Sequence, residues 1–341
     1  MSDHIGVAGI RQRQNLALAI TSLIVTLLLL ELGVRGFAWS TGHGFWESPY
    51  DFVSPFFTTD GWPSPVRDGD SYVFKEGERV ARAKPAGEIR VVCLGGSTTL
   101  PSRDADGLSY PRELERLLRL RFPDRSIVVL NAGENGYSSA HTLVNLALRV
   151  LDAAPDIVTV YEDVNDLSVN YFGDGAETDY GNKYLSEYYL SYRHRTGLLA
   201  ELGRISRFVR IVDNRLELFR WAGRDYDDRR DWRPGLRYFT RNLRSLVGLA
   251  RIHGVSIVLG TQAARASRRT EAGFAAYNAA IRQVATELAV PLADVVAAVV
   301  DEGPFLDDVH QTSAGNRTVA QQLLEPVARA IATGDAAAER P

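Results

Sequence analysis

The stretch "VVCLGGSTTLP", Val91 to Pro101, leads from a short apolar run into two glycines, a serine and two threonines. A turn of this kind can hold a phosphate, hold a nucleophile or cap a helix. A Walker-type phosphate loop needs a lysine before its last Ser/Thr to reach the terminal phosphates, and none occurs there. A dinucleotide fingerprint needs GxGxxG spacing for close backbone approach to a pyrophosphate, and "GGSTTLP" lacks it. Taken alone, Ser97 reads as a helix cap. It becomes a nucleophile only where an imidazole takes its proton and a partner fixes that imidazole's tautomer.

Three further segments bear on that choice: "NAGENGYSS" (131–139), "YEDVNDL" (161–167) and "DDVHQTSAGN" (307–316). With "GGSTT" they form four separated blocks, and on these the chain resembles the SGNH (GDSL) hydrolase superfamily over residues 88–167 and 236–335. The resemblance implies a nucleophile at Ser97 and an acid and base at Asp307 and His310. It also implies an oxyanion hole built from the Ser97 N–H, the Gly136 N–H and the Asn165 side-chain amide. The residue types suit that chemistry: donors of this kind strengthen as negative charge develops on the substrate oxygen. Asp307 and His310 stand three apart, where an aspartate can turn back onto its own histidine's ring; Asp308 is an adjacent competitor that spacing does not exclude. Two positions depart from the pattern. Gly96 replaces the aspartate usual before the serine, and Asp163 replaces the glycine usual two places before the asparagine. A carboxylate at 163 would oppose a nearby oxyanion unless it turns away.

The same residues have structural readings. Asn165 and Asp166 suit a turn after a strand, Gly133 and Gly136 suit turns, and His310 suits a surface histidine. His141, His194 and His253 show no ligand spacing, so neither a metal nor another cofactor is expected. Cys93, the only cysteine, excludes an internal disulfide and reads as a small buried hydrophobe.

The elements that must position these blocks are legible as periodicity. "IRVVCL" (89–94), "IVVL" (127–130), "DIVTVY" (156–161) and "VSIVLG" (255–260) are strand candidates. They alternate with helical patterns at 110–120, 140–151, 243–254 and 275–289 and with a last helix after residue 313. Alternation of this kind predicts an α/β fold: a three-layer α/β/α sandwich with a mostly parallel sheet of about five strands. Ser97 would follow the first strand and His310 would precede the final helix. That is the sheet edge where open parallel sheets place their sites. Residues 168–239 interrupt the alternation with a long aromatic insertion, expected to form a wall or lid of the site. Its piece "GLLAELGRISRFVRIVDNRLELF" reads as core or lid packing, with contact to a membrane surface or partner as the alternative.

The organisation expected is a tail over 1–15, a transmembrane segment over 16–34 and a neck with an irregular segment over 35–87. The catalytic domain would run over 88–335, followed by a tail over 336–341. "LALAITSLIVTLLLL" (16–30), read through Glu31 to Val34, reaches the length of a membrane span. Arg11 and Arg13 precede it, which orients the domain out of the cytoplasm. A buried first helix and a cleaved signal peptide are the alternatives, although the flanking residues offer no clean cleavage site. A net charge of -3 argues against nucleic-acid binding.

Three functions follow. The first is a serine esterase acting on an acyl ester, acetyl included, of a glycan, lipid or small molecule through acyl-Ser97. The second is an O-acyltransferase using the same intermediate. The third is a membrane-anchored binding or assembly protein that keeps the fold without catalysis. Any protein partner is left open.

Overall fold

The computed structural model describes residues 3–40, 45, 64–172, 175–184, 206–209, 212, 227–265, 270–299 and 303–338. The chain divides into two compact units, one of residues 1–53 and 188–222 and one of residues 54–187 and 223–341.

The second unit is built on a parallel sheet of β4 (Glu88–Gly95), β5 (Ser126–Gly133), β6 (Ile157–Tyr161), β7 (Ser256–Gly260) and β8 (Leu292–Ala293), in the order β5-β4-β6-β7-β8. Side chains on a strand alternate between faces, and here both faces are apolar, as a sheet covered on two sides requires. Val92 and Leu94 of β4, Val158 and Val160 of β6, and Ile257 and Leu259 of β7 enter one core. Val91 and Cys93, Ile157 and Tyr161, and Val258 enter the other. Helix α2 (Tyr110–Arg121) and the last helix, α9 (Ser313–Ala338), cover the second face. On the first face lie α3 (Ser139–Asn145), α6 (Arg233–Ile252) and α7 (Glu271–Glu287). Phe239, Leu243, Leu246, Val247 and Ala250 form the buried stripe of α6, the three- and four-residue spacing of an amphipathic helix. The α/β sandwich expected from the alternation is therefore present. Short helices α4 (Val164–Val169), α5 (Gly181–Tyr184) and α8 (Val295–Ala298) complete this unit among the described residues.

Residues 66–81, expected as part of an irregular neck, form an antiparallel meander of β1 (Val66–Asp68), β2 (Ser71–Val73) and β3 (Arg79–Ala81). Tyr72, Phe74 and Val80 bury their side chains in the first core. The meander also shields the edge of β5: Lys75 N donates to Asn131 O at 3.0 Å, and Asn131 N donates to Glu78 Oε1 at 2.9 Å. Covering that edge removes a template for unwanted strand pairing. The helix expected over 140–151 is regular only to Asn145; a wider turn over Leu146–Val150 and a tight one over Leu151–Ala153 follow.

In the first unit, α1 (Asp3–Ser40) is one continuous helix. Its stretch Gln12–Ser40 has 29 residues and contains an 18-residue window with a mean hydropathy of 2.3. At about 1.5 Å per residue that length exceeds the roughly 30 Å of a bilayer's hydrocarbon core. Its apolar side chains are exposed, Leu16 at 62% and Leu29 at 64%, so nothing described in the protein satisfies them. Glu31 tolerates its place at the end of the apolar run because donors surround it. Arg35 Nε and Ser206 Oγ donate at 2.7 Å, and the N–H groups of Phe208 and Arg207 donate at 2.9 and 3.1 Å. The carboxylate thus sits at the N-terminal end of the helical residues 207–209, where unpaired N–H groups favour an anion.

Most of the aromatic insertion, including Tyr188, Tyr189, Tyr192, Trp221 and Tyr226, lies outside the described residues, and the lid reading falls there with it. Among the described ones, Tyr171, Phe172 and Tyr180 are buried and fill the second unit's own interior.

Candidate active site

The sheet order makes β4 the point where the chain turns from one side to the other: β5 lies on one flank of it and β6 on the other. Crevices form outside the C-terminal ends of strands at such a switch point. Ser97 follows β4, and Asn165 lies in α4 just after β6.

Two close approaches explain the glycines of the opening stretch. A Cβ on Gly95 would lie 2.3 Å from Thr99 Oγ1 and 2.6 Å from Tyr161 O. One on Gly96 would lie 2.9 Å from Asn165 Nδ2 and 3.0 Å from Tyr137 O. The absence of an aspartate at 96 thus leaves room for the asparagine amide to lie against the backbone beside the serine. The chain then tightens into a 3₁₀ turn over Ser97–Thr99. A residue that opens such a turn keeps an N–H that helical bonding does not use.

Ser97 Oγ lies 2.9 Å from His310 Nε2, and the other ring nitrogen, Nδ1, lies 2.8 and 3.0 Å from the two oxygens of Asp307. With Nδ1–H donating to the carboxylate, the Nε2 lone pair faces the serine hydroxyl. Asp307 itself is oriented by the backbone, since Oδ1 accepts from the N–H groups of His310 at 2.8 Å and Val309 at 2.9 Å. Partial burial alone would raise its carboxyl. The two backbone donors and the imidazole reverse that and hold it below the usual carboxylate range. Asp308 makes no such contact: its backbone carbonyl accepts from Arg265 N at 2.7 Å.

Asn165 Nδ2 donates to Tyr137 O at 2.7 Å. Gly136, which precedes that tyrosine, has φ +70°, a left-handed conformation that glycine adopts without cost. Nothing lies within 4 Å of a Cβ built on it, so conformation and not space requires the glycine. The structure thus joins Ser97, His310 and Asp307 by hydrogen bonds, and it seats Asn165 between the Gly96 backbone and the residue after Gly136. A cleft of about 290 Å³ opens over Ser97 and His310, with Leu100, Pro101 and Arg103 among its walls.

The surroundings of the carboxyl at 163 disfavour the charge its sequence position suggests. Asp163 is completely buried, and burial, followed by the neighbouring Asp166, pushes its carboxyl well above the ordinary value, which favours the uncharged form. Glu162 is pushed up in the same way, first by burial and then by Asp166. Asp166 rises to about 6, chiefly through burial, although Ser139 and the Tyr180 hydroxyl donate to it.

These shifts have a measurable sign. An acid whose folded value lies above its ordinary one gains a proton on folding, so its contribution is full below about pH 4 and is lost as pH rises through the folded value. For Asp166, the rise from 3.8 to about 6 corresponds to about 3 kcal/mol. Glu162 and Asp163 add the same sign. Thermal melts of the full chain should therefore show a midpoint that falls between pH 5 and pH 7. A midpoint that is constant or rising across that interval contradicts the buried-acid arrangement.

One positioning residue was not legible from the sequence. Gln262, 3% exposed, follows β7, and its Oε1 accepts the N–H groups of Asp163 at 2.6 Å and Val164 at 2.9 Å. Its Nε2 donates to Thr98 Oγ1 at 2.6 Å, so one side chain ties the turn after β4 to the helix that carries Asn165. The available signal was a polar residue directly after an apolar strand. His141 is buried and bonds Ser138 as a helix-capping residue. Burial pushes the Cys93 thiol up to about 12, leaving it unreactive.

Solved structures similar to this chain include Axe2, an acetylxylan esterase from Geobacillus stearothermophilus, at 18% identity and a TM-score of 0.46, covering 70% of this chain and 94% of that one. Another is LAE5, an α/β hydrolase enzyme from the metagenome of Lake Arreo, at 18% identity and a TM-score of 0.45, covering 70% and 95%. A putative acylhydrolase from Bacteroides fragilis is similar at 17% identity and a TM-score of 0.42, covering 70% and 86%. No curated protein matches the sequence. The GDSL-like Lipase/Acylhydrolase family matches residues 93–318, well over half of the 341-residue chain. That match runs from the strand that ends in the Gly95–Gly96 turn to the helix that follows His310, and by its extent the chain belongs to the GDSL-like lipase/acylhydrolase family.

Proposed function

We propose that the chain is a serine esterase that hydrolyses a short acyl ester, acetyl included, through an acyl-Ser97 intermediate. The observation that carries this reading is the unbroken hydrogen-bonded series from Ser97 Oγ through His310 to Asp307. In the first step Ser97 Oγ bonds to the ester carbonyl carbon while its proton passes to His310 Nε2. Asp307 keeps the ring oriented and stabilises the imidazolium without taking the proton. The carbonyl oxygen, now an anion, meets the N–H groups of Ser97 and Gly136 and the second Nδ2 hydrogen of Asn165, the first being held by Tyr137 O. As the tetrahedral species collapses, the alkoxy oxygen leaves with the proton from His310. Water then repeats the sequence on the acyl-serine, releasing the acid and restoring the hydroxyl. The cleft's small volume favours a short acyl group.

The apolar helix α1 serves in this reading as a retained anchor, with the second unit outside the cytoplasm. Its exposed apolar side chains support that role, as do the exposed Phe37 and Trp39 near its end, residues suited to the membrane–water boundary.

Steady-state turnover of p-nitrophenyl acetate by the detergent-solubilised full chain tests the activity. Ser97-dependent release of nitrophenol is the expected result; release undiminished in Ser97→Ala overturns the reading. The glycine at 96 offers a second check. Gly96→Ala puts a Cβ 2.9 Å from Asn165 Nδ2, close enough to displace it, and loss of one oxyanion donor lowers kcat by about 10²–10³-fold. A folded Gly96→Ala chain with full kcat contradicts the placement of that amide in the oxyanion site.

A further inference from the structure

We infer that Lys183, contributed by the insertion, is a positioning residue that fixes the side-chain amide of Asn165 for the oxyanion. The inference rests on the esterase reading above and adds to it a residue outside the four sequence blocks.

Lys183 lies in α5 and is 7% exposed. Its Nζ donates to Asn165 Oδ1 at 3.2 Å and to Ser168 Oγ at 2.5 Å, and it stands 5.7 Å from the centre of the Phe172 ring. Ser168 Oγ in turn donates to the Asn165 carbonyl at 2.9 Å. Both ends of Asn165, side chain and main chain, are therefore tied to one amine and the hydroxyl it holds.

The chemistry of these groups decides which way the asparagine faces. An amide side chain has an acceptor end and a donor end, whereas a lysine as its ammonium has only donors. With Lys183 against it, the acceptor end of Asn165 is the only one that fits on that side. A flipped amide would set two donors against each other and would also turn its oxygen toward the Tyr137 carbonyl. Lys183 and Tyr137 O thus read the two ends of the amide in concert, and Nδ2 is left beside Gly96, next to the serine. A cation on Oδ1 also draws electron density from the amide and makes its N–H groups better donors to a developing anion. Burial matters here, because an exposed lysine would be screened and would exchange its partners for water.

The arrangement also gives the insertion a definite task. Lys183 lies 18 positions after Asn165, so the described residues that follow the third sequence block fold back to place an amine against the Asn165 side chain. This is support for the oxyanion site from the described part of the insertion.

The test is a double-mutant cycle on the full chain with p-nitrophenyl acetate. Lys183→Met is expected to lower kcat by about 10- to 100-fold, with KM within about twofold, because the contact acts on the transition state. In the Asn165→Ala background the same change should cost less than about threefold, since the amide it positions is gone. Lys183→Gln, a milder truncation, carries the same cycle if the methionine variant does not fold. Unchanged kcat in Lys183→Met overturns the inference, as does an equal loss in both backgrounds, which would mark a general structural contact. A wild-type chain without Ser97-dependent turnover would be recognised separately and overturns the esterase reading together with this one.

Discussion

Ser97→Ala is expected to lower kcat/KM toward a short acyl ester by about 10⁴–10⁶-fold, the scale on which loss of a triad nucleophile acts. The change removes the hydroxyl oxygen proposed to attack, 2.9 Å from His310 Nε2, while leaving the proposed oxyanion donors in place. Little stability should be lost with it. The Ser97 hydroxyl is half-buried, and its loss frees no buried carbonyl or carboxylate, so a change within about 0.5 kcal/mol is expected. Paired kinetics and thermal melts check both halves. A large loss of activity accompanied by a large drop in melting temperature would instead indicate that the serine holds the turn together.

The second large effect separates two adjacent aspartates. Asp307→Asn keeps the shape of the side chain but removes the charge that holds the Nδ1–H tautomer of His310. In a buried triad this costs about 10⁴-fold in kcat. The Asp307 side chain is 52% exposed, so water can take over part of its role, and a loss of about 10³-fold is expected here. Asp308→Asn should leave kcat within about twofold, because among the described residues only the main chain of Asp308 is engaged. Comparable losses in the two variants would mean that the loop rearranges during turnover and that the static pairing is not the working one.

How far the sequence foretold this arrangement differs from element to element. β4, β6 and β7 are apolar on both faces and are separated from one another by recognisable helices, so their alternation could be seen without coordinates. β8 consists of Leu292 and Ala293 alone, too short to carry any period. The meander over 66–81 was hidden by its glycines and charges, because it is stabilised by Tyr72, Phe74 and Val80 docking on the sheet's core and by bonds to Asn131. The choice between Asp307 and Asp308 could not be made from spacing. What decides it is a pair of backbone N–H groups that turn Asp307 toward the ring. Asp163 was misleading for a related reason: its type suggests a negative charge, and only its complete burial shows that the uncharged form is favoured. Gln262 and Lys183 are polar residues outside any motif, and Gln262 meets Thr98 across 164 positions of chain. Their importance exists only once the strands have been ordered.

Intact-mass measurement of the full chain during turnover of an acyl ester tests the central claim most directly. A transient increase by the mass of one acyl group, located on the peptide that contains Ser97 and absent from Ser97→Ala, is the result expected. Adding an alcohol acceptor should leave the adduct's decay to water unchanged. Turnover without any adduct on Ser97, or an adduct that persists in Ser97→Ala, would contradict a covalent mechanism at this serine.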